Sequence, residues 1–169
     1  LKTIQRWILK NYLNKLEVNK RANGFVKKRG IKRNALYHLK KKYILTVDIK
    51  DFFTSISQGQ VFETINTNYN DRDFALKIAK LCTYQRYLPQ GAPTSPVLSN
   101  LVFKPIDDEI MKYCNSELIH YSRYADDLTF SSDNKQSLQY AYRYINDLLY
   151  KNGFNLNTKK TRYLSGKGN

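Results

Sequence analysis

The sequence predicts an α+β domain with helices on one face of a small antiparallel sheet. Short apolar runs of strand length, residues 43–47, 118–121 and 128–130, alternate with longer stretches of helical period. The second and third runs are separated by a tight polar turn, which makes them antiparallel neighbours. No repeat, low-complexity tract or Pro/Gly-rich linker divides the 169 residues. That length suits one domain with a buried core.

Ile4, Ile8, Tyr12 and Leu16 recur at helical spacing among Lys and Arg, which predicts an amphipathic helix over 1–16. Residues 17–33 are basic and irregular, and 34–42 read as a short basic helix. Residues 43–48 form the first strand. Ser57 and Gln60 have the spacing of a capping box opening a helix to about Asn66. A second helix runs from Asp71 to about Tyr84. Residues 90–96 are a loop, and Pro96 suits the first turn of a helix that continues to about Cys114. The strand–turn–strand unit follows. A helix over 136–152 ends at Gly153, and residues 154–164 mix short strands with Lys159-Lys160.

Basic residues number 29 and acidic ones 14, a net charge of +15 that attracts polyanions. No apolar run has the length of a membrane-spanning helix, and no signal peptide is visible. The chain opens on Leu directly into a helical pattern and is expected to be a piece of a longer protein. Cys82 and Cys114 have no CxxC neighbours, so they read as buried reduced thiols rather than a zinc site or disulfide framework. Of 14 Tyr and 8 Phe, most must pack, which leaves some to stack on bases.

Asp48 ends the first strand, and Asp126-Asp127 sit at the turn after Tyr124-Ala125. Alone, an Asp-Asp turn is a solvated turn, because Asp bonds its own backbone there. Adjacent strand side chains also diverge, so one of the pair leads. Strand-borne aspartates that meet on a strongly basic chain are, however, what paired divalent cations need for phosphoryl transfer on a nucleic acid.

Three segments together resemble the reverse transcriptases. Residues 47–53 (Val-Asp-Ile-Lys-Asp-Phe-Phe) resemble motif A, residues 90–96 (Gln-Gly-Ala-Pro-Thr-Ser-Pro) motif B of the bacterial branch, and Tyr124-Ala125-Asp126-Asp127 motif C, in the family's order. Lys160 in residues 157–161 resembles the motif D lysine. Residues 34–38 (Asn-Ala-Leu-Tyr-His) resemble the Asn-Ala-x-x-His element of retron enzymes, and Leu128-Thr129-Phe130-Ser131 is similar to their sequence after motif C. Group II intron and phage-defence enzymes share much of motifs A to D.

The resemblance implies a polymerase palm-and-fingers fold with a small antiparallel sheet packed on helices. Fingers would occupy 1–42 and palm 43–169, with the thumb absent from this sequence. It implies RNA-directed DNA polymerase activity in the bacterial cytoplasm, retron-like, with a role in antiviral defence. An RNA template, a DNA or RNA primer and dNTPs would be the partners, without a membrane. Two Mg²⁺ ions, replaceable by Mn²⁺, would be held by Asp48 and Asp126, with Asp127 as a third ligand or a tuning neighbour. Lys160 would serve the leaving pyrophosphate, although Lys159 is equally basic. Ile49, Phe53, Gln90, Gly91 and Arg29 would line the nucleotide. Phe53, five positions after Asp48, would exclude a ribose 2′-hydroxyl while Phe52 packs in the core. Lys27, Lys28, Arg33, Asn34 and His38 would contact nucleic acid. A charge run is more often only a solvated face, and packing a helix is the more common role of a His in this position. Asp51 reads as a cap or solvated acid. Two other classes stand beside the polymerase: a catalytically silent nucleic-acid-binding fragment of the same fold, and a nuclease or nucleotidyl cyclase.

Overall fold

The computed structural model describes residues 1–165. Among these, ten regular elements follow the α+β order that the periodicities predict. The described residues fall into two compact units that interleave along the chain, one of residues 1–19 and 51–104, the other of 20–50 and 105–165.

The first unit is helical. Helix α1 (Lys2–Asn11) is shorter than the predicted 1–16, and a separate 3-10 turn, Leu13–Lys15, completes the segment. Helix α3 (Gln58–Tyr69) carries the predicted capping box, with Ser57 Oγ accepting from the Gln60 N–H and the Gln60 side chain accepting from the Ser57 N–H. It ends at Asn70, which takes the left-handed conformation. Helix α4 (Arg72–Cys82) is capped by Asp71, whose side chain accepts the Phe74 N–H. Tyr12, Tyr69 and Phe74 pack ring on ring. The Gln5 amide, also buried, donates to the Leu81 carbonyl.

The second unit holds a four-stranded antiparallel sheet in the order β2-β3-β1-β4, from β1 (Tyr43–Asp48), β2 (His120–Tyr124), β3 (Asp127–Ser132) and β4 (Arg162–Ser165). Helix α6 (Lys135–Lys151) packs on β1 and β3 through Leu138, Ala141, Ile145, Leu148 and Leu149. Leu45, Val47, Leu128 and Phe130 are buried on the strands. Strand β2 starts two residues later than the apolar run predicts, because Leu118 adopts a left-handed conformation and stands exposed. Helix α2 (Ile31–Tyr37) also shifts, starting after Gly30 instead of at Asn34 and stopping before His38. A basic run carries little period, so its helix limits are poorly marked. Helix α5 (Ser95–Ser116) supplies Ser95–Lys104 to the first unit and Pro105–Ser116 to the second. No helix of the described residues is long and apolar enough to cross a membrane.

Candidate active site

Strand pairing assembles the site. In the β1/β3 ladder Asp48 lies directly opposite Asp127, and cross-strand partners project to the same face of a sheet. Asp126 occupies the turn one residue earlier, and the Ile49 N–H donates to its carbonyl at 3.0 Å. Two segments almost eighty residues apart are thus joined at their aspartates. Asp48 is buried, whereas Asp127 is exposed.

Lys160 closes the fourth side. Its Nζ donates to Asp48 Oδ2 at 2.9 Å, with the lysine side chain 60% exposed and the aspartate 7%. The 3-10 turn Thr158–Lys160 places it there, and the Asn157 N–H donates to the Asp48 carbonyl at 2.8 Å. Asp48 holds the ammonium charged by raising its pKa. Although the Asp127 residue is exposed, protein atoms crowd part of the water from its carboxyl and raise its pKa, the charges of Asp126 and Asp48 raise it further, and Lys160 opposes them. The cluster therefore carries negative charge that one ammonium does not fully offset.

That surplus, on hard carboxylate oxygens, fits a hard divalent cation. Among the described residues, no three acid, imidazole or thiol side chains are already gathered as a metal cage. A set of this kind suits ions that complete their shell with substrate phosphates and water. Asp127, Lys160, Asn34, Tyr124, Thr129 and Arg162 also line a cavity of about 470 Å³ beside the aspartates. A larger cavity of about 690 Å³, lined by Tyr37, Lys41, His120 and Asp133, contains none of the three aspartates.

The turn itself is strained and heavily braced. Ala125 has φ 58°, a left-handed conformation that costs a non-glycine residue roughly 1–2 kcal/mol. Arg123 Nη1 donates to the Ala125 carbonyl at 2.9 Å. The same guanidinium forms a two-pronged pair with Asp107, Nε to Oδ1 at 2.9 Å and Nη2 to Oδ2 at 2.6 Å, both side chains fully buried. Tyr121 Oη donates to Asp107 Oδ1 at 2.6 Å. Burial works against the guanidinium charge, but Asp107 more than offsets it. Residues 21–24 run beside β2: the Arg123 N–H donates to the Arg21 carbonyl at 2.9 Å, and the Asn23 N–H to the Arg123 carbonyl at 2.7 Å. Sequence reasoning missed Arg123, Asp107 and this strap. The available signal was an arginine within a strand, two residues before the turn.

The remaining candidates divide. His38 is buried, bonded through Nδ1 to Ser131 Oγ at 2.7 Å and through Nε2 to Ser122 Oγ at 2.6 Å. Burial pushes its pKa down to about 4, so it is a neutral packing group, the alternative open in the sequence. Asn34 Oδ1 accepts from Asn23 Nδ2 at 3.0 Å. Lys27, Lys28 and Arg33 are exposed, and the Arg29 guanidinium donates to the Ala22 carbonyl. The Ile49 side chain is buried. In the helical unit, Phe52 is buried edge-on against Phe103, while Phe53 is half-buried. Gln90 and Gly91 are exposed, Gly91 at φ +80°, which favours glycine. Asp51, at φ 50°, is a solvated turn residue whose carbonyl accepts from Ser55.

The profile of the family described as reverse transcriptase (RNA-dependent DNA polymerase) matches residues 1–168. This chain belongs to the reverse transcriptase family. It is 37% identical to the retron Ec86 reverse transcriptase of Escherichia coli, over 95% of this chain and 50% of that protein. The retron Ec73 reverse transcriptase of E. coli is 34% identical over 99% of this chain and 58% of its own. The retron Mx65 reverse transcriptase of Myxococcus xanthus is also 34% identical, over 96% and 42%. The resemblance to retron reverse transcriptases drawn from motifs A to D therefore holds over most of the chain. The chain spans about half the length of these relatives. Among solved structures, apo telomerase of Candida tropicalis truncated from its C-terminal domain matches with a TM-score of 0.70 at 15% identity, over 99% of this chain and 41% of that one. Telomerase of Candida albicans, in complex with a fragment of telomeric RNA, matches with a TM-score of 0.70 at 11% identity, over 98% and 35%. Identities this low speak for the fold alone, and the fold is that of a polymerase palm and fingers.

Proposed function

We propose that the whole protein containing this chain is a retron-like RNA-directed DNA polymerase that extends a DNA or RNA primer on an RNA template with dNTPs. One observation carries the reading: Asp48 and Asp127 are partners in register, Asp126 is in the adjoining turn, and Lys160 rests on Asp48. Residues 1–42 act as fingers and 43–169 as palm. The working place is the bacterial cytoplasm.

In this reading Asp48, Asp126 and Asp127 hold two Mg²⁺ ions, or Mn²⁺ in their place. When bound, the ions supply positive charge to the primer 3′-oxygen, the α-phosphate and the leaving pyrophosphate. The chain's residues do the rest. The three carboxylates fix the position of the charge. Lys160, exposed and held protonated by Asp48, swings to the triphosphate and gives charge or a proton to the departing pyrophosphate. Phe53 excludes the 2′-hydroxyl. Gln90 and Gly91 support the incoming nucleotide, Ile49 backs it from within motif A, and Arg29 faces its phosphates. Lys27, Lys28, Arg33 and Asn34 contact nucleic acid, with His38 locking α2 to the sheet behind them.

The test is primer extension on RNA by the whole protein, with duplex affinity measured in the same samples. Asp126→Asn abolishes extension and leaves affinity largely intact. Undiminished extension by that variant would sink the mechanism.

A further inference from the structure

We propose that Gly24 and the buried Arg123–Asp107 pair are positioning residues that set the place of Asp126 in the polymerase centre. This rests on the reading of the three aspartates given above, and it assigns work to a segment that sequence alone marks only as irregular and basic.

Asp126 sits between two peptide groups, and both are held from outside the turn. The carbonyl before it, that of Ala125, accepts from Arg123 Nη1 at 2.9 Å. Its own carbonyl accepts from the Ile49 N–H at 3.0 Å. With both planes pinned, its backbone angles are fixed while its side chain stays free of the brace. A strained conformation such as that of Ala125 persists only where its surroundings over-determine it.

Arg123 can hold that carbonyl because Asp107 holds Arg123. Two parallel bonds fix the guanidinium plane, and Tyr121 fixes the carboxylate. Planar two-pronged geometry is specific to arginine, so lysine cannot reproduce it. The main chain of Arg123 is clamped separately, by the Arg21 carbonyl and the Asn23 N–H.

Gly24 closes the arrangement by contact. A Cβ on it would lie 2.6 Å from the Ala125 nitrogen, 3.2 Å from the Tyr124 carbonyl carbon and 3.3 Å from Ala125 Cα. All three are backbone atoms, so no side-chain rotation relieves the clash. The methyl group of an alanine there would displace either the strap or the turn. The strap is bonded to β2 on both sides of Ala22 and to the Arg29 guanidinium at its carbonyl, so it cannot back away without breaking those bonds, and the clash bears directly on the Tyr124–Ala125 backbone next to Asp126. A displacement on the order of an ångström at a reacting group can cost about a hundredfold in rate.

The experiment uses the whole protein with RNA template, primer and matched dNTP. Three variants are compared with wild type: Gly24→Ala, Arg123→Lys, and the charge-free double variant Arg123→Met with Asp107→Leu. The double variant keeps apolar volume, which a buried pair often tolerates without loss of folding. Each is measured by thermal unfolding, by single-turnover incorporation, and by Mn²⁺ affinity in calorimetry without nucleotide. The expected result is a folded variant whose kcat falls about a hundredfold with KM for dNTP within about twofold, and whose Mn²⁺ affinity weakens. Folded variants with wild-type kcat and Mn²⁺ affinity overturn the proposal. Unfolding of all three also overturns it, since these groups would then serve stability alone. Asp126→Asn runs alongside: if that variant is fully active, the catalytic reading fails and not the brace.

Discussion

Two ion pairs in the same unit make opposite use of the same chemistry. Arg123 and Asp107 are completely enclosed, joined by two bonds, and bonded onward to Tyr121 and Ala125. Lys160 and Asp48 share one bond, and the lysine is mostly in solvent. The first pair is sealed from solvent, with its charges matched to each other, and holds structure. The second is cheap to open, because an exposed ammonium trades a carboxylate for water or phosphate at little net cost. Enclosed, charge-matched groups brace this sheet, and its incompletely neutralised groups are the ones proposed to meet metal and substrate.

The comparison breaks first if the enclosed pair proves dispensable. Asp107→Ala leaves a buried guanidinium without its counter-charge, which should destabilise the protein by about 3–5 kcal/mol in denaturant unfolding. A loss below ~1 kcal/mol would mean that the pair is not sealed as described.

His38 extends the contrast to a saturated neutral group. Its pKa is lowered to about 4 in the folded protein, against about 6.5 when unfolded. Between those values the unfolded chain binds a proton that the native chain refuses, so stability falls as pH drops from about 6.5 to about 4 and levels below that. The contribution lost is about 3 kcal/mol. His38→Gln should flatten that part of the stability–pH curve, and an unchanged slope would contradict the neutral buried ring.

Several of these features could be read in the sequence and several could not. The capping box at Ser57 and Gln60, the strand ending at Asp48 and the motif C turn all announce themselves by local spacing. The offset of Phe52 from Phe53 follows from divergence of adjacent side chains, and Phe52 is indeed the buried one. Arg123 was invisible because a charge in a strand reads as a solvent-facing residue until its partner is known, and Asp107 lies sixteen positions earlier in a helix. The strap at 21–24 was invisible because parallel pairing with β2 depends on tertiary contact and has no periodicity. Lys159 and Lys160 were equivalent by composition, and only the fold of the 3-10 turn puts Lys160 on Asp48.

The sugar gate proposed at Phe53 carries the contrast into the helical unit. Phe53→Val should raise rNTP use relative to dNTP, the ratio of kcat/KM values moving on the order of a hundredfold. Phe52→Val should leave that ratio alone and lower stability. A shift with Phe52→Val and none with Phe53→Val reverses the assignment, and no shift in either removes the gate.

The smallest expected effect on stability belongs to the open pair. Lys160→Ala should leave the unfolding midpoint unchanged within error while slowing incorporation. A clear fall in Tm would show that the pair is structural and would erase the contrast with Arg123–Asp107.

The central claim, that the aspartates at the end of the β1/β3 ladder are where divalent ions bind, is tested most directly by a Mn²⁺ titration. The whole protein, with RNA–primer duplex and a non-reacting dNTP analogue, is followed by electron paramagnetic resonance in wild type and in Asp126→Asn. The account predicts tight Mn²⁺ uptake by wild type and its loss or marked weakening in the variant at equal nucleic-acid occupancy. Identical uptake by the two proteins would contradict it.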